Sequence, residues 1–206
     1  MTRVAVYIDG FNLYFGLRKR YGRKYLWLDL WTLARSLLRD GQTLEQVRYF
    51  TARVRNDNDV GGQQRQSDYL DALGARSPLV RIQDGRFQEK DRRCRACGSV
   101  WTVFEEKETD VNIAVALLGD AVRDSYDAAL VVSADSDLCP AVRETKILFP
   151  EKRIIVAFPP GRRSTELKRV VDGWVFIGED KVRQAQLPDE VVTETGIVLR
   201  RPKHWM

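Results

Sequence analysis

Twice in this chain a short apolar, β-branched run leads straight into aspartate: Val4-Ala5-Val6-Tyr7-Ile8 into Asp9, and Ala129-Leu130-Val131-Val132-Ser133 into Asp135 and Asp137. Apolar residues at consecutive rather than alternate positions mark a strand buried on both faces, as in a parallel sheet covered by helices. Such sheets bind ligands in the crevice outside the carboxyl ends of their strands. Both runs therefore deliver carboxylates to the ligand-binding edge. Between them, Glu105-Glu106-Lys107-Glu108-Thr109-Asp110 opens an apolar helix expected over 111–118 and can bring a further carboxylate to that edge. Carboxylates gathered at one edge repel one another unless cations neutralise them, which points to a divalent metal site. A single Asp is equally well explained as a helix cap or turn residue. The whole set together argues for a site.

The rest of the chain supplies the alternation that such a sheet needs. Helices are expected after Gly10-Phe11-Asn12, carrying Leu13, Phe15 and Leu17, and over 29–39, 138–148 and 164–171. Another starts at Gly61-Gly62, passes through Tyr69, Leu70 and Leu73, and stops at Gly74 to Pro78. Strands are expected over 44–55, over 79–87 with Asp84-Gly85 as a turn or bulge, and over 153–158, while the tail from Leu187 reads as an extended strap. Alternating strands and helices imply an α/β fold: a parallel sheet with helices on both faces. At 206 residues the chain suits a single domain. Its 44% hydrophobic content separates it from disordered chains. No apolar run reaches spanning length and the N-terminus enters a strand at once, so a cytoplasmic protein with no membrane partner is expected. Three cysteines argue against a disulfide framework.

The formal net charge is +5 although the proposed site concentrates acid. Positive charge must dominate elsewhere, as in Arg18-Lys19-Arg20, Arg23-Lys24, Arg92-Arg93, Arg162-Arg163 and Arg200-Arg201. An acidic pocket within a basic surface suits a polyanion partner, whose phosphates the basic groups hold while metal ions let one phosphate approach the carboxylates. A merely solvated basic surface is the alternative.

The motifs YIDGFN, EKETDVNIA and SADSD, in this order and on these elements, resemble the NYN branch of the PIN-like nuclease superfamily, particularly its bacterial LabA-like members. The resemblance runs from Val4 to about Ile177. It implies a PIN-like, Rossmann-like sheet in a nuclease domain over 1–180; by their own composition, 86–104 reads as a basic, aromatic, Cys-containing insertion in it and 181–206 as a C-terminal extended tail. It further implies Mg²⁺ or Mn²⁺ and hydrolysis of RNA phosphodiesters. By resemblance, Asp9 is the first-strand carboxylate, Asp110 the helix-start one, and Asp135 and Asp137 the pair after the central strand, with Asn12 the polar residue behind Asp9.

Phosphodiester hydrolysis asks for a similar set on chemical grounds: an oxygen-rich site for one or two hard cations, a metal-activated water and neutralisation of developing charge. Asp9 and Asp135 are the expected direct ligands, with Asp110 and Asp137 on a second ion or on metal-bound waters. Asn12 positions a phosphate or an aspartate, or else makes a helix-start hydrogen bond. Lys107, three residues before Asp110, shares its helix face if that helix begins early, and would set an ammonium beside the phosphate. Ser133 and Ser136 flank Asp135 and either bind phosphate or cap. Arg162, Arg163 and Ser164 follow a strand and open a helix, so they are expected to hold a second phosphate; a solvated loop with Ser164 as cap is the alternative. The only histidine is His204, in the tail, and no serine or cysteine has an evident base, so water is the expected nucleophile.

Cys94-Arg95-Ala96-Cys97-Gly98 has half the ligands of a zinc knuckle. Completion by a second copy of the chain would give a homodimer, but absence of zinc is the expectation. Around it, Phe87, Trp101 and Phe104 interleave with Arg and Lys, either stacking bases or packing a hairpin. A DNA nuclease of the same fold and a non-catalytic nucleic-acid-binding module are the competing readings. Four carboxylates in a phosphate groove speak against a pure binder.

Overall fold

The structure, a computed structural model, describes residues 1–53, 60–77 and 79–205, and only the backbone of residues 60, 87 and 103–106. In chain order, the first elements are β1 (Thr2–Asp9), α1 (Gly10–Tyr21), α2 (Leu30–Leu37), β2 (Gln42–Thr51), α3 (Val60–Arg76) and β3 (Val80–Asp84). An antiparallel ribbon follows, β4 (Arg86–Arg93) with β5 (Val100–Lys107), and then α4 (Thr109–Val122) and β6 (Ala128–Val132). A 3₁₀ turn at Ser136–Leu138 leads into α5 (Cys139–Leu148), β7 (Arg153–Phe158), α6 (Thr165–Val170), β8 (Gly173–Phe176) and α7 (Glu179–Gln184). The chain finishes with a short hairpin, β9 (Glu190–Val192) and β10 (Val198–Arg200), and a 3₁₀ turn at Lys203–Trp205.

The six-stranded sheet has the order β3-β2-β1-β6-β7-β8, and every pairing in it is parallel. Val4, Val6 and Ile8 of β1 pack into a layer with side chains of α1, α2, α3 and α7, whereas Ala5 and Tyr7 face a second layer built from α4, α5 and α6. Both faces are dry, which is why the run is apolar at every position. The strand order reverses at β1 and β6, as expected for a site at the switch point of a doubly wound sheet.

Several elements differ from the sequence expectation. α3 continues through Gly74 to Arg76; an interior glycine costs about 1 kcal/mol, less than the burial of Tyr69, Leu70 and Leu73 returns. Pro78 lies outside the described residues, as do residues 54 and 55 at the end of the strand expected over 44–55, which stops at Thr51. The strand expected over 79–87 breaks at Gly85, whose N–H donates to the Thr51 carbonyl, and beyond it the chain enters the ribbon. β8 and α7 were not anticipated. Nor is the tail an extended strap: it turns at Gly196 (φ 83°) into the β9–β10 hairpin. Trp205 is buried against Trp27 and Tyr69, with ring centroids 6.3 and 6.0 Å away. Trp27 Nε1 donates to the Pro188 carbonyl at 2.7 Å, so the tail completes one helical layer. No helix among the described residues is long and apolar enough to cross a membrane.

Candidate functional site

β1 and β6 lie side by side with Ile8 opposite Val132, so Asp9 and Ser133 leave the sheet as neighbours. Asp9 is only 3% exposed. One of its oxygens caps α1 by accepting from the Asn12 N–H at 2.9 Å, and the other accepts from the Ser133 hydroxyl at 2.8 Å. This sharp entry into the helix needs a residue without a side chain: a Cβ on Gly10 would stand 2.6 Å from the Phe50 carbonyl oxygen. Burial pushes the Asp9 carboxyl up from its ordinary value; hydrogen bonding from Asn12 and Ser133 pulls it partly back, and the nearby charge of Asp135 adds to the rise.

Ser133 is fully buried and its oxygen also accepts from the Asp135 N–H at 3.0 Å, so one hydroxyl ties the two aspartates together. Asp135 is half-buried and holds the following 3₁₀ turn by accepting from the Asp137 N–H. The Asn12 side-chain carbonyl accepts from the Ala134 N–H at 3.2 Å and from Arg162 Nη1 at 3.4 Å. Arg162 reaches this edge because α1 and the loop after β7 touch at a glycine. A Cβ on Gly16 would meet the Pro160 carbonyl oxygen at 2.8 Å.

Asp9, Asn12, Ser133, Asp135 and Arg162 thus form one hydrogen-bonded group. Asp110 is half-buried in the first turn of α4, and α4 packs against the Ser136–Leu138 turn, which keeps Asp110 and the exposed Asp137 at the same edge. Lys107 does not share a helix face with Asp110. It ends β5, and Glu108, in the left-handed conformation at φ 79°, redirects the chain before α4 begins. Ser136 and Arg163 are exposed at this end of the sheet. Ser164 is buried and caps α6, accepting from the Leu167 N–H at 3.2 Å and donating to Glu166. Full burial likewise leaves Ser133 as a link between aspartates rather than a surface for phosphate.

Among the described residues no three His, Cys, Asp or Glu side chains are gathered closely enough to hold an ion alone. The donors fit a hard divalent cation nonetheless: they are oxygen atoms, and a buried carboxyl strained toward protonation gains when a cation neutralises it. Mg²⁺ in particular binds through one or two carboxylates and keeps waters and substrate oxygens for the rest.

The insertion is a ribbon with Cys94 and Cys97 in its tip. The Gly98 N–H donates to the Cys94 carbonyl at 2.9 Å, and Cys97 Sγ lies 3.1 Å from Ser99 Oγ. Hydrogen bonding from Ser99, helped by Cys94, pulls the Cys97 thiol down to about 7. Trp101 is exposed rather than packed, and the Phe87 and Phe104 side chains lie outside the described residues. Cys139 is buried at the start of α5, where burial pushes its thiol up.

Sequence reasoning missed a cavity of about 280 Å³ that shares Gly10 with the site and is lined by Phe11, Tyr14 and Phe15 of α1. Phe15, on the same helix as the buried Leu13 and Leu17, is 44% exposed and stacks on Phe11. Aromatics at positions i and i+4 followed by Arg18, outside the Leu13–Leu17 stripe, were the available signal.

The 6-hydroxy-3-succinoylpyridine 3-monooxygenase HspA of Pseudomonas putida (strain DSM 28022 / S16) is 30% identical to this chain over 174 residues, covering 68% of this chain and 54% of that protein. The chain therefore spans about half the length of this curated relative. A solved structure of a protein of unknown function from Vibrio parahaemolyticus RIMD 2210633 matches with a TM-score of 0.56 at 18% identity, covering 87% of this chain and 94% of that one, which shows the fold. The NYN domain description itself matches residues 3–178, from β1 through β8 with the whole carboxylate edge inside it. On that match the chain belongs to the NYN domain family, a family of PIN-like nuclease domains.

Proposed function

We propose that this chain is a metal-dependent endoribonuclease. The observation that carries the reading is the Ser133 hydroxyl joining Asp9 to the Asp135 backbone at two adjacent strand ends, with Arg162 held beside them through Asn12. Asp9 and Asp135 would hold a divalent cation, with Asp110 and Asp137 at the margin for a second ion. Such a cation supplies activation of water and neutralisation of charge on the phosphate. Asn12 orients Arg162, and the guanidinium can bind phosphate oxygens in a two-pronged hydrogen bond. Arg163 and the other basic clusters retain the rest of the strand electrostatically. RNA is the substrate implied by the resemblance to nucleases of this type. Labelled RNA and DNA oligonucleotides, titrated with Mg²⁺ and Mn²⁺, test it: cleavage is expected from the wild type and not from Asp9→Asn or Asp135→Asn, both folded and binding. Wild-type rates in either variant would remove these residues from the reaction, and cleavage of DNA alone would reassign the substrate.

The curated relative supports a second reading, oxygenation of a small aromatic acid, which the aromatic cavity with arginines would accommodate. For a nucleotide-dependent form of that reaction the turn after β1 gives little support: Phe11 and Asn12 follow Gly10 in place of a glycine-rich phosphate cradle, and the Asn12 N–H in the first turn of α1 is taken by the Asp9 carboxylate.

A further inference from the structure

We infer that the cavity beside Gly10 is a nucleobase pocket, which holds one unpaired base of the strand while the adjoining phosphate lies at the Asp9 edge. The inference deepens the nuclease reading and rests on it. The cavity is formed where α1 and α3 diverge over the ends of β1 and β2, and Trp205 from the C-terminal turn forms part of its wall. Its volume, about 280 Å³, falls at the lower limit of small-molecule sites, about 300–1,000 Å³. That leaves room for one ring system with its sugar and excludes a base pair.

The walls suit a flat ring. Phe11 and Phe15 stack at 6.2 Å with their planes 26° apart, and Tyr14 meets Phe15 edge-on at 5.2 Å. Tyr69, whose hydroxyl donates to the Leu28 carbonyl at 2.9 Å, turns only its ring to the cavity. Among the described residues the charge is one-sided: Arg18, Arg23 and Arg65 line the cavity, with no aspartate or glutamate beside them. An aromatic chamber rimmed with guanidinium groups recognises a planar ring carrying an anion. The shared boundary at Gly10, immediately after Asp9, places that anion toward the carboxylate edge, where the proposed cleavage occurs. A base paired in a duplex cannot enter, so the substrate is single-stranded or has its base displaced from the stack.

The test measures binding of adenosine 5′-monophosphate, uridine 5′-monophosphate, ribose 5-phosphate and nicotinate to the Asp9→Asn protein by quenching of tryptophan fluorescence, checked by calorimetry. Base stacking predicts that the nucleotides bind roughly ten-fold or more tighter than ribose 5-phosphate. Phe15→Ala, at an exposed position, should abolish that difference and leave ribose phosphate binding unchanged. In the Asp9-intact protein, an oligonucleotide with an abasic position next to the cleaved bond should be cut about ten-fold more slowly, and Phe15→Ala should erase the penalty. Equal binding of nucleotides and ribose 5-phosphate, with Asp9-dependent cleavage intact, overturns the pocket and leaves the nuclease. Base-dependent binding without cleavage of any strand overturns the nuclease reading and this strand-positioning role with it. Nicotinate binding as tightly as the nucleotides would assign the cavity to free aromatic acids and overturn the inference.

Discussion

Helix α4 carries two aspartates in opposite surroundings, and the buried one can be weighed in folding. Asp120 is 1% exposed. Its carboxylate accepts from the Tyr7 hydroxyl at 2.9 Å, the Gln46 amide at 2.9 Å, Arg48 Nη2 at 2.6 Å and Arg123 Nη1 at 3.2 Å. Asp120→Ala removes every one of these acceptors. The exposed Arg123 loses little, about 0–1 kcal/mol. Tyr7 and Gln46 are buried, and each polar group left unsatisfied costs about 1–3 kcal/mol. Arg48, largely buried, loses its counter-charge, and removing one partner of a buried pair costs about 3–5 kcal/mol. These losses overlap because they share one site, so the expected total is about 3–5 kcal/mol rather than their sum. For a domain of this size that lowers Tm by about 6–20 °C. Tyr7→Phe deletes a donor and leaves the acceptor its other partners, so about 0.5–1.5 kcal/mol is expected. Urea unfolding with unchanged m-values measures both losses. A loss below about 1 kcal/mol in Asp120→Ala would refute the assignment. So would abolished cleavage well below the unfolding midpoint, because Asp120 lies at the far end of α4 from Asp110.

The remaining predictions concern charge. Asp9 carries a raised carboxyl pKa, so its protonated form favours the fold; that advantage is complete below the unfolded value of about 3.9 and is lost as pH rises through the folded pKa. Asp9→Asn should therefore gain stability relative to wild type as pH rises, and Mg²⁺ should shrink the gap. Parallel Tm profiles of the two proteins, insensitive to Mg²⁺, would remove the basis for a cation at Asp9. Arg162→Ala combined with Arg163→Ala should weaken RNA binding and flatten its dependence on salt without altering the metal requirement. An unchanged slope places the strand elsewhere. Alkylation of Cys97 should follow a titration near pH 7 that Ser99→Ala moves upward, whereas zinc is expected to be absent from protein purified without added metal. Stoichiometric zinc would instead make the ribbon tip a metal knuckle.

What was legible in the sequence was whatever a two-sided burial pattern encodes. β1 and β6 could be read because consecutive apolar residues have one explanation, and Asp9 and Asp135 followed from where those strands end. β8 stayed hidden because an edge strand of four residues, Gly-Trp-Val-Phe, leaves Trp174 and Phe176 exposed and shows no dry face. Lys107 was misplaced because a left-handed Glu108 separates strand from helix, a conformation with no signature in a glutamate. Ser133 illustrates a different limit: a serine beside an aspartate reads equally as a phosphate contact or a structural link, and only its complete burial decides for the link. The aromatic cavity depends on how far α1 and α3 diverge, which lies in packing rather than in periodicity.

The hydroxyl that joins Asp9 to Ser133 spans 124 residues of chain, and the Arg162–Asn12 contact spans 150. Pairings of such separation form late, since loop closure must precede them. During synthesis β1, β2 and β3 emerge well before β6, so the growing chain holds Asp9 and later Asp110 without Ser133, Asp135 or Arg162. A fragment ending before Ala128 carries half of the carboxylates and no β6 to seat the others. The arrangement is therefore a product of complete folding, and nascent, truncated or nicked chains that lack the β1–β6 pairing do not bring Asp9, Ser133, Asp135 and Arg162 together.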